Sequence, residues 1–125
     1  MKLTKNFSLS EFACNDGLEF PLELMENVSL LAEQLQVLRD YVGLPIKINS
    51  GYRSPAYNKK IGGVSNSQHL QAKAADINVV GLSHLETQST IKALIDDGKM
   101  MEGGLGCYST FTHYDIRNSR VRWSK

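Results

Sequence analysis

The chain has 125 residues, 42% of them hydrophobic and 22% charged, with 14 Lys and Arg against 13 Asp and Glu. That length suits one domain, residues 1–125, and the ordinary apolar content excludes a disordered chain. A net charge of +1 leaves no basic footprint for a nucleic-acid partner, and no window approaches the roughly 18 apolar residues of a membrane span.

In chain order, MKLTKNFSLSEF lacks the continuous apolar run of a secretory segment. The expectation is synthesis in the cytoplasm without a signal peptide. Ser8 and Glu11 have the spacing of a capping box and predict a short helical turn. After Pro21, the residues Leu22, Met25, Val28, Leu31, Leu35 and Leu38 recur at steps of three and four, which predicts a helix of about 20 residues. Gly43 ends it and Pro45 prevents its continuation. Residues 45–49 alternate apolar and polar as a half-buried strand does. A turn at Ser50–Pro55 leads to a short helical piece around Ala56–Lys60, then to the polar loop GGVSNSQ. Residues 74–80 predict a second strand. Ser83 and Glu86 form a second capping box, opening a helix that runs through Leu85, Ile91, Leu94 and Ile95 to Gly98. The tail carries glycines, aromatics and period-two alternation, which predict two or three short antiparallel strands. Helices and strands do not alternate as βαβ units. The fold class is therefore α+β, a small antiparallel sheet packed against helices.

Two cysteines, Cys14 and Cys107, are too few for a disulfide scaffold and form no CxxC clip. Three histidines remain. His84 follows the Ser83 cap and reads as solvated surface. His69 leaves the Gly-rich loop, with Asp76 seven residues later on a strand. Seven apart on an ideal strand means opposite faces, so the two meet only if the chain bends at Gln71–Lys73. In the tail, alternation puts Phe111, His113 and Asp115 on one face. Two imidazoles and a carboxylate are a donor set that catalytic zinc uses. Hydrogen-bonded polar residues beside a sheet satisfy the same spacing. Arg53, in the turn after Gly51, offers a fork of donors for a carboxylate or an oxyanion, or forms a surface salt bridge.

An ordered set of motifs narrows these alternatives: Ser50-Gly-Tyr-Arg-Ser54, Tyr57-Asn58, Ile61-Gly-Gly63, Ser67-Gln-His69, Ala72-Lys-Ala-Ala-Asp-Ile77, and Gly104-Leu-Gly106 followed by Phe111-Thr-His-Tyr-Asp115. Together they resemble the zinc D-Ala-D-Ala carboxypeptidase family of metallopeptidases. That family includes L-Ala-D-Glu endopeptidases and shares its fold with the hedgehog signalling domain. The opening Asn6-Phe-Ser-Leu-Ser-Glu-Phe12 and the closing Arg122-Trp123 resemble its short phage and prophage branch. The resemblance implies a Zn2+ centre held by His69, Asp76 and His113, with Arg53 on the scissile carbonyl or a substrate carboxylate and Ser67 hydrogen-bonded to substrate. It implies hydrolysis of peptide bonds in peptidoglycan stem peptides, and so action at the cell wall after release or delivery. Nothing in the sequence demands more than a monomer.

Two positions depart from the family pattern. Ala72 stands where Gly is usual, which is costly only if that position needs φ > 0. Thr110 and Phe111 stand where many members have a general-base acid or histidine. Asp115 is then either the proton acceptor or the partner that orients His113, and Glu102 is a third acid within reach of the tail. The missing acid also leaves open a zinc-stabilised domain that binds wall peptide or a protein without cleaving it.

Overall fold

Five strands lie side by side in the computed structural model, which describes residues 1–125. They are β1 (Ile46–Ser50), β2 (Ala74–Val79), β3 (Gly104–Cys107), β4 (Thr112–Asp115) and β5 (Val121–Ser124), and their order across the sheet is β1-β2-β4-β3-β5. The β1–β2, β2–β4 and β4–β3 pairs are antiparallel, as expected, but β5 pairs with β3 in parallel, so the sheet is mixed. The cause is positional. After β4 the chain reverses through residues 116–120, but β2 and β3 already flank β4. The returning strand takes the free edge beyond β3 and so runs in the same direction as β3.

Three helices complete the fold: α1 (Met25–Val42), α2 (Pro55–Lys60) and α3 (His84–Asp96). The apolar stripe anticipated after Pro21 divides at its start. Leu22–Leu24 form a 3-10 turn, and α1 then buries Val28, Leu31, Leu35 and Leu38. Each such side chain removed from water contributes about 1.5–3 kcal/mol. Gly43 closes the helix with φ 67°, its N–H bonded to the Arg39 carbonyl, a left-handed conformation that costs glycine nothing. Both capping boxes form. Glu11 Oε2 accepts from the Ser8 N–H at 2.7 Å, though only a 3-10 turn follows, and at α3 Ser83 and Glu86 accept reciprocally from each other's N–H. α2 starts at Pro55 with Ser54 Oγ capping Tyr57 N.

One face of the sheet carries Ile46, Ile48, Ala75, Ile77, Leu105 and Tyr114 against α1, α3 and the N-terminal Phe7 and Phe12. A β-bulge at Asn49 in β1 lets Ser50 rather than Asn49 pair with Asp76. The opposite face is polar. No helix is long and apolar enough to cross a membrane.

Candidate metal centre

The polar face is built around one rung. Ser50, Asp76, His113, Gly106 and Trp123 are successive pairing partners across β1, β2, β4, β3 and β5, so their side chains project to the same side. Asp76 and His113 meet there, with Asp76 Oδ1 3.0 Å from His113 Nδ1. Gly106 is glycine because the Trp123 indole lies flat on it. A Cβ at that position would come within 2.5 Å of Trp123 Cε2. The indole thus reaches across β3 to pack on the His113 ring, with centroids 4.9 Å apart.

His69 joins from outside the sheet. It lies in a 3-10 turn, Gln68–Gln71, capped by Ser67, whose Oγ accepts from His69 N at 3.2 Å. Arg53 N donates to the His69 carbonyl at 3.0 Å, tying the turn to the end of β1. The bend that joins His69 to β2 is at Ala72, with φ 57° and ψ 31°. The position where glycine is usual does need positive φ, and alanine accepts it at a cost of about 1–2 kcal/mol. After this bend His69 Nε2 lies 3.2 Å from Asp76 Oδ1. His69 Nε2, Asp76 Oδ1 and His113 Nδ1 all fall within 4.8 Å of one another, and all three residues are buried.

The outer nitrogens show what the inner ones are prepared for. His69 Nδ1 meets the Gly51 carbonyl at 2.7 Å, which can only accept, so this nitrogen carries the proton. His113 Nε2 meets Asp115 Oδ2 at 2.7 Å in the same way. In their neutral forms both imidazoles then turn lone pairs toward a carboxylate oxygen. Three acceptors converging on one point require a cation between them, and an imidazole backed by a carbonyl or carboxylate is the usual arrangement around zinc. The donor set fits the metal. Without a metal, a proton on His113 is favoured by the two carboxylates on either side of it. Burial acts to lower the His113 pKa, but hydrogen bonds to Asp115 and Asp76 outweigh it and raise the value above that of ordinary imidazole. Burial likewise pushes Asp76 upward, and the bonds from His113 and His69 prevail, holding the carboxyl well below the usual range.

Asp115 lies behind His113, away from the ligand atoms. It is fully buried and accepts from His113 Nε2, Gly104 N, Arg117 N and two guanidinium nitrogens of Arg117. Burial opposes its ionisation, but the His113 and Arg117 bonds hold its pKa well below the usual range. Of the two roles left open by the sequence, orientation of His113 fits and proton acceptance does not. A carboxylate surrounded by donors and so reluctant to protonate is a poor base. Glu102 is also placed elsewhere, paired with Arg120 and Arg122 outside the cleft.

The three ligand candidates line a cleft of about 310 Å³ together with Arg53, Ser67, Gly62–Val64, Tyr108, Phe111, Arg117, Trp123 and Lys125. Arg53 points its Nη2 at Asp76 Oδ2, 3.1 Å away, so it stands beside the centre. His84 is half-buried at the start of α3 and takes no part. Arg117 and Tyr108 are cleft residues that the sequence reading did not single out. Period-two alternation carried one step past His113 and Asp115 points to Arg117, although β4 ends first. Nothing in the spacing marks Tyr108, whose hydroxyl accepts from Trp123 Nε1 at 2.9 Å.

A two-histidine, one-carboxylate set opening into a cleft on the polar face of an α+β sheet defines the class, that of single-zinc hydrolytic centres. The chain belongs to the peptidase M15 family, whose family model matches residues 5–115. It is also similar to the zinc D-Ala-D-Ala carboxypeptidase of Streptomyces albus G, with 44% identity over 45 residues, a stretch that covers 35% of this chain and 18% of that relative.

Proposed function

We propose that the chain is a zinc-dependent peptidase that hydrolyses peptide bonds in peptidoglycan stem peptides, as a D-Ala-D-Ala carboxypeptidase or an L-Ala-D-Glu endopeptidase. The observation that carries this reading is the convergence of His69 Nε2, Asp76 Oδ1 and His113 Nδ1, with both outer nitrogens committed to acceptors. Zinc on these donors supplies Lewis acidity and brings the pKa of a water from about 15.7 toward about 7. The residues around it supply position and charge. Arg53, anchored through Asp76 Oδ2, is placed to donate a remaining N–H to the scissile carbonyl oxygen as negative charge develops there. Ser67 Oγ accepts from His69 N, which leaves its own proton to donate to a substrate acceptor. Asp115 keeps His113 in the tautomer that offers Nδ1. The similarity to a zinc carboxypeptidase supports the substrate class. A role as a phage or prophage endolysin rests on the Asn6–Phe12 and Arg122–Trp123 segments, and the reading takes the chain to act as a monomer once it reaches the wall.

Purified peptidoglycan digested with the zinc-loaded and the chelator-stripped protein, with products identified by mass spectrometry, tests the reading. Zinc-dependent fragments are expected, and their masses name the bond. One observation favours a second reading, that of a zinc-stabilised domain that binds wall peptide without cleaving it. Asp76 is the only carboxylate lining the cleft, so no second acid is in place as a base. Tight binding of one zinc with no fragments would establish that alternative.

A further inference from the structure

The charged side chains around the cleft are Arg53, Arg117 and Lys125, against the single carboxylate of Asp76. Asp76 is committed on both oxygens, Oδ1 to the two imidazoles and Oδ2 to Arg53. Asp115 likewise offsets Arg117 from behind, so Lys125 is the one uncompensated charge, and what the cleft offers an anionic group is the set of guanidinium N–H donors left unused.

The two guanidiniums differ in the donors they have left, from five N–H groups each. Arg53 spends all three nitrogens on three different acceptors: Nε on Ser50 Oγ, Nη1 on Asn58 Oδ1 and Nη2 on Asp76 Oδ2. Arg117 places only one edge on Asp115, through Nε at 2.9 and 3.1 Å and Nη2 at 2.7 Å. Its Nη1 has no protein partner. With the second hydrogen of Nη2 it presents two parallel donors, the geometry that takes a carboxylate bidentately. The fork is also held still. Asp115 beneath it is fully buried, and the guanidinium carbon sits 5.4 Å from the centre of a Trp123 ring. Its side chain keeps 27% of its exposure, which leaves the outer edge reachable.

We propose that Arg117 is the specificity-determining residue, clamping a free carboxylate of the substrate on the β5 side of the metal centre while Arg53 works on the β1 side. The bond cut is then one with an ionised carboxylate beside it. This rests on the peptidase reading above. Two carboxylates of a stem peptide share the required chemistry, the C-terminal one of D-Ala and the α-carboxylate of a γ-linked D-Glu.

Four synthetic stem peptides tell these apart: the parent acid, its C-terminal amide, its D-Glu α-amide and the double amide. The zinc-loaded wild-type chain is expected to cleave the acid with a kcat/KM about tenfold to a hundredfold above one of the single amides, the effect of losing a charge-assisted pair. Arg117→Gln should bring that ratio close to one while zinc content is unchanged, and Arg117→Lys should retain part of it. A wild-type ratio near one overturns the proposal. So does an Arg117→Gln variant that slows acid and amide equally, because Arg117 then serves only to hold Asp115. Should Arg117→Gln fail to fold, Arg117→Lys reads the same ratio, since it keeps the charge and loses the parallel donors. If the wild type cuts none of the peptides, the peptidase reading fails by itself. Calorimetric binding of the same peptides to the zinc-loaded chain then tests the clamp: tighter binding of the acid, weakened in the Arg117 variants, supports it, and equal binding of acid and amides overturns it.

Discussion

Asp115 is a carboxylate placed where it can serve only through another residue. It touches the far nitrogen of His113, and its remaining lone pairs are taken by Gly104 N and Arg117. If it carried protons, Asp115→Ala would keep zinc and lose cleavage. Its position predicts a different pattern. Asp115→Asn keeps an oxygen for His113 but removes the charge that fixes the tautomer, so zinc affinity should fall about tenfold to a hundredfold. Competition against a chromophoric chelator measures this. The variant should also lose about 2 kcal/mol of stability, because Arg117 is left with a neutral partner. Unchanged zinc affinity together with collapsed activity would return Asp115 to the role of base.

The elements deliver these residues through close approach more than through propensity. β3 carries Gly-Leu-Gly, and each glycine leaves room for another strand's cargo, Gly106 for the Trp123 indole and Gly104 for the Asp115–Arg117 pair. Gly106→Ala should therefore push the indole off β3. The expected loss is about 1–3 kcal/mol, as for other overpacked sites, with a shift in emission from Trp123, the only tryptophan in the chain. Unchanged emission and melting would contradict the packing. Ala72 is a subtler case. Glycine there relieves about 1–2 kcal/mol of left-handed strain, but loses a buried methyl worth about 0.8 kcal/mol and loosens the unfolded chain by about 0.4–1 kcal/mol. Ala72→Gly should thus change stability by less than about 1 kcal/mol in urea melts, whereas Ala72→Val, β-branched at positive φ, should be clearly destabilising. Such local features explain what could be read in the sequence. The capping boxes at Ser8 and Ser83, the stop at Gly43 and the required bend near Ala72 are decided within a few residues, and all are where the spacing puts them. The parallel pairing of β5 is not local, since it follows from which sheet edge is still free when the chain returns. The position of Asp115 behind His113, rather than beside the metal ligands, is likewise invisible to alternation, which fixes a face but not a direction along it.

At the scale of the whole molecule, the centre links stability to pH in two opposing ways. Without metal, His113 lies between Asp76 and Asp115 with a raised pKa. A group whose folded pKa is raised contributes stability that is complete below its unfolded value, about 6.5, and is lost as pH climbs through the folded value. The carboxyls of Asp76 and Asp115, whose folded values are lowered, contribute stability above about pH 4 and lose it only in stronger acid, so they are constant between about pH 6 and 8. Zinc must displace the proton from His113, so its binding strengthens as pH rises, and bound metal stabilises the folded chain by an amount that grows with the logarithm of free metal concentration over the dissociation constant. The chelator-stripped protein should then gain less from His113 near pH 8 than near pH 6, while the zinc-loaded protein gains more from its metal. Melting temperatures of the two forms should diverge across that interval. His113→Ala should abolish the divergence, because it removes both the titrating group and a ligand. A gap that stays constant or narrows with rising pH would mean that the His69, Asp76 and His113 cluster is not where metal and protons compete.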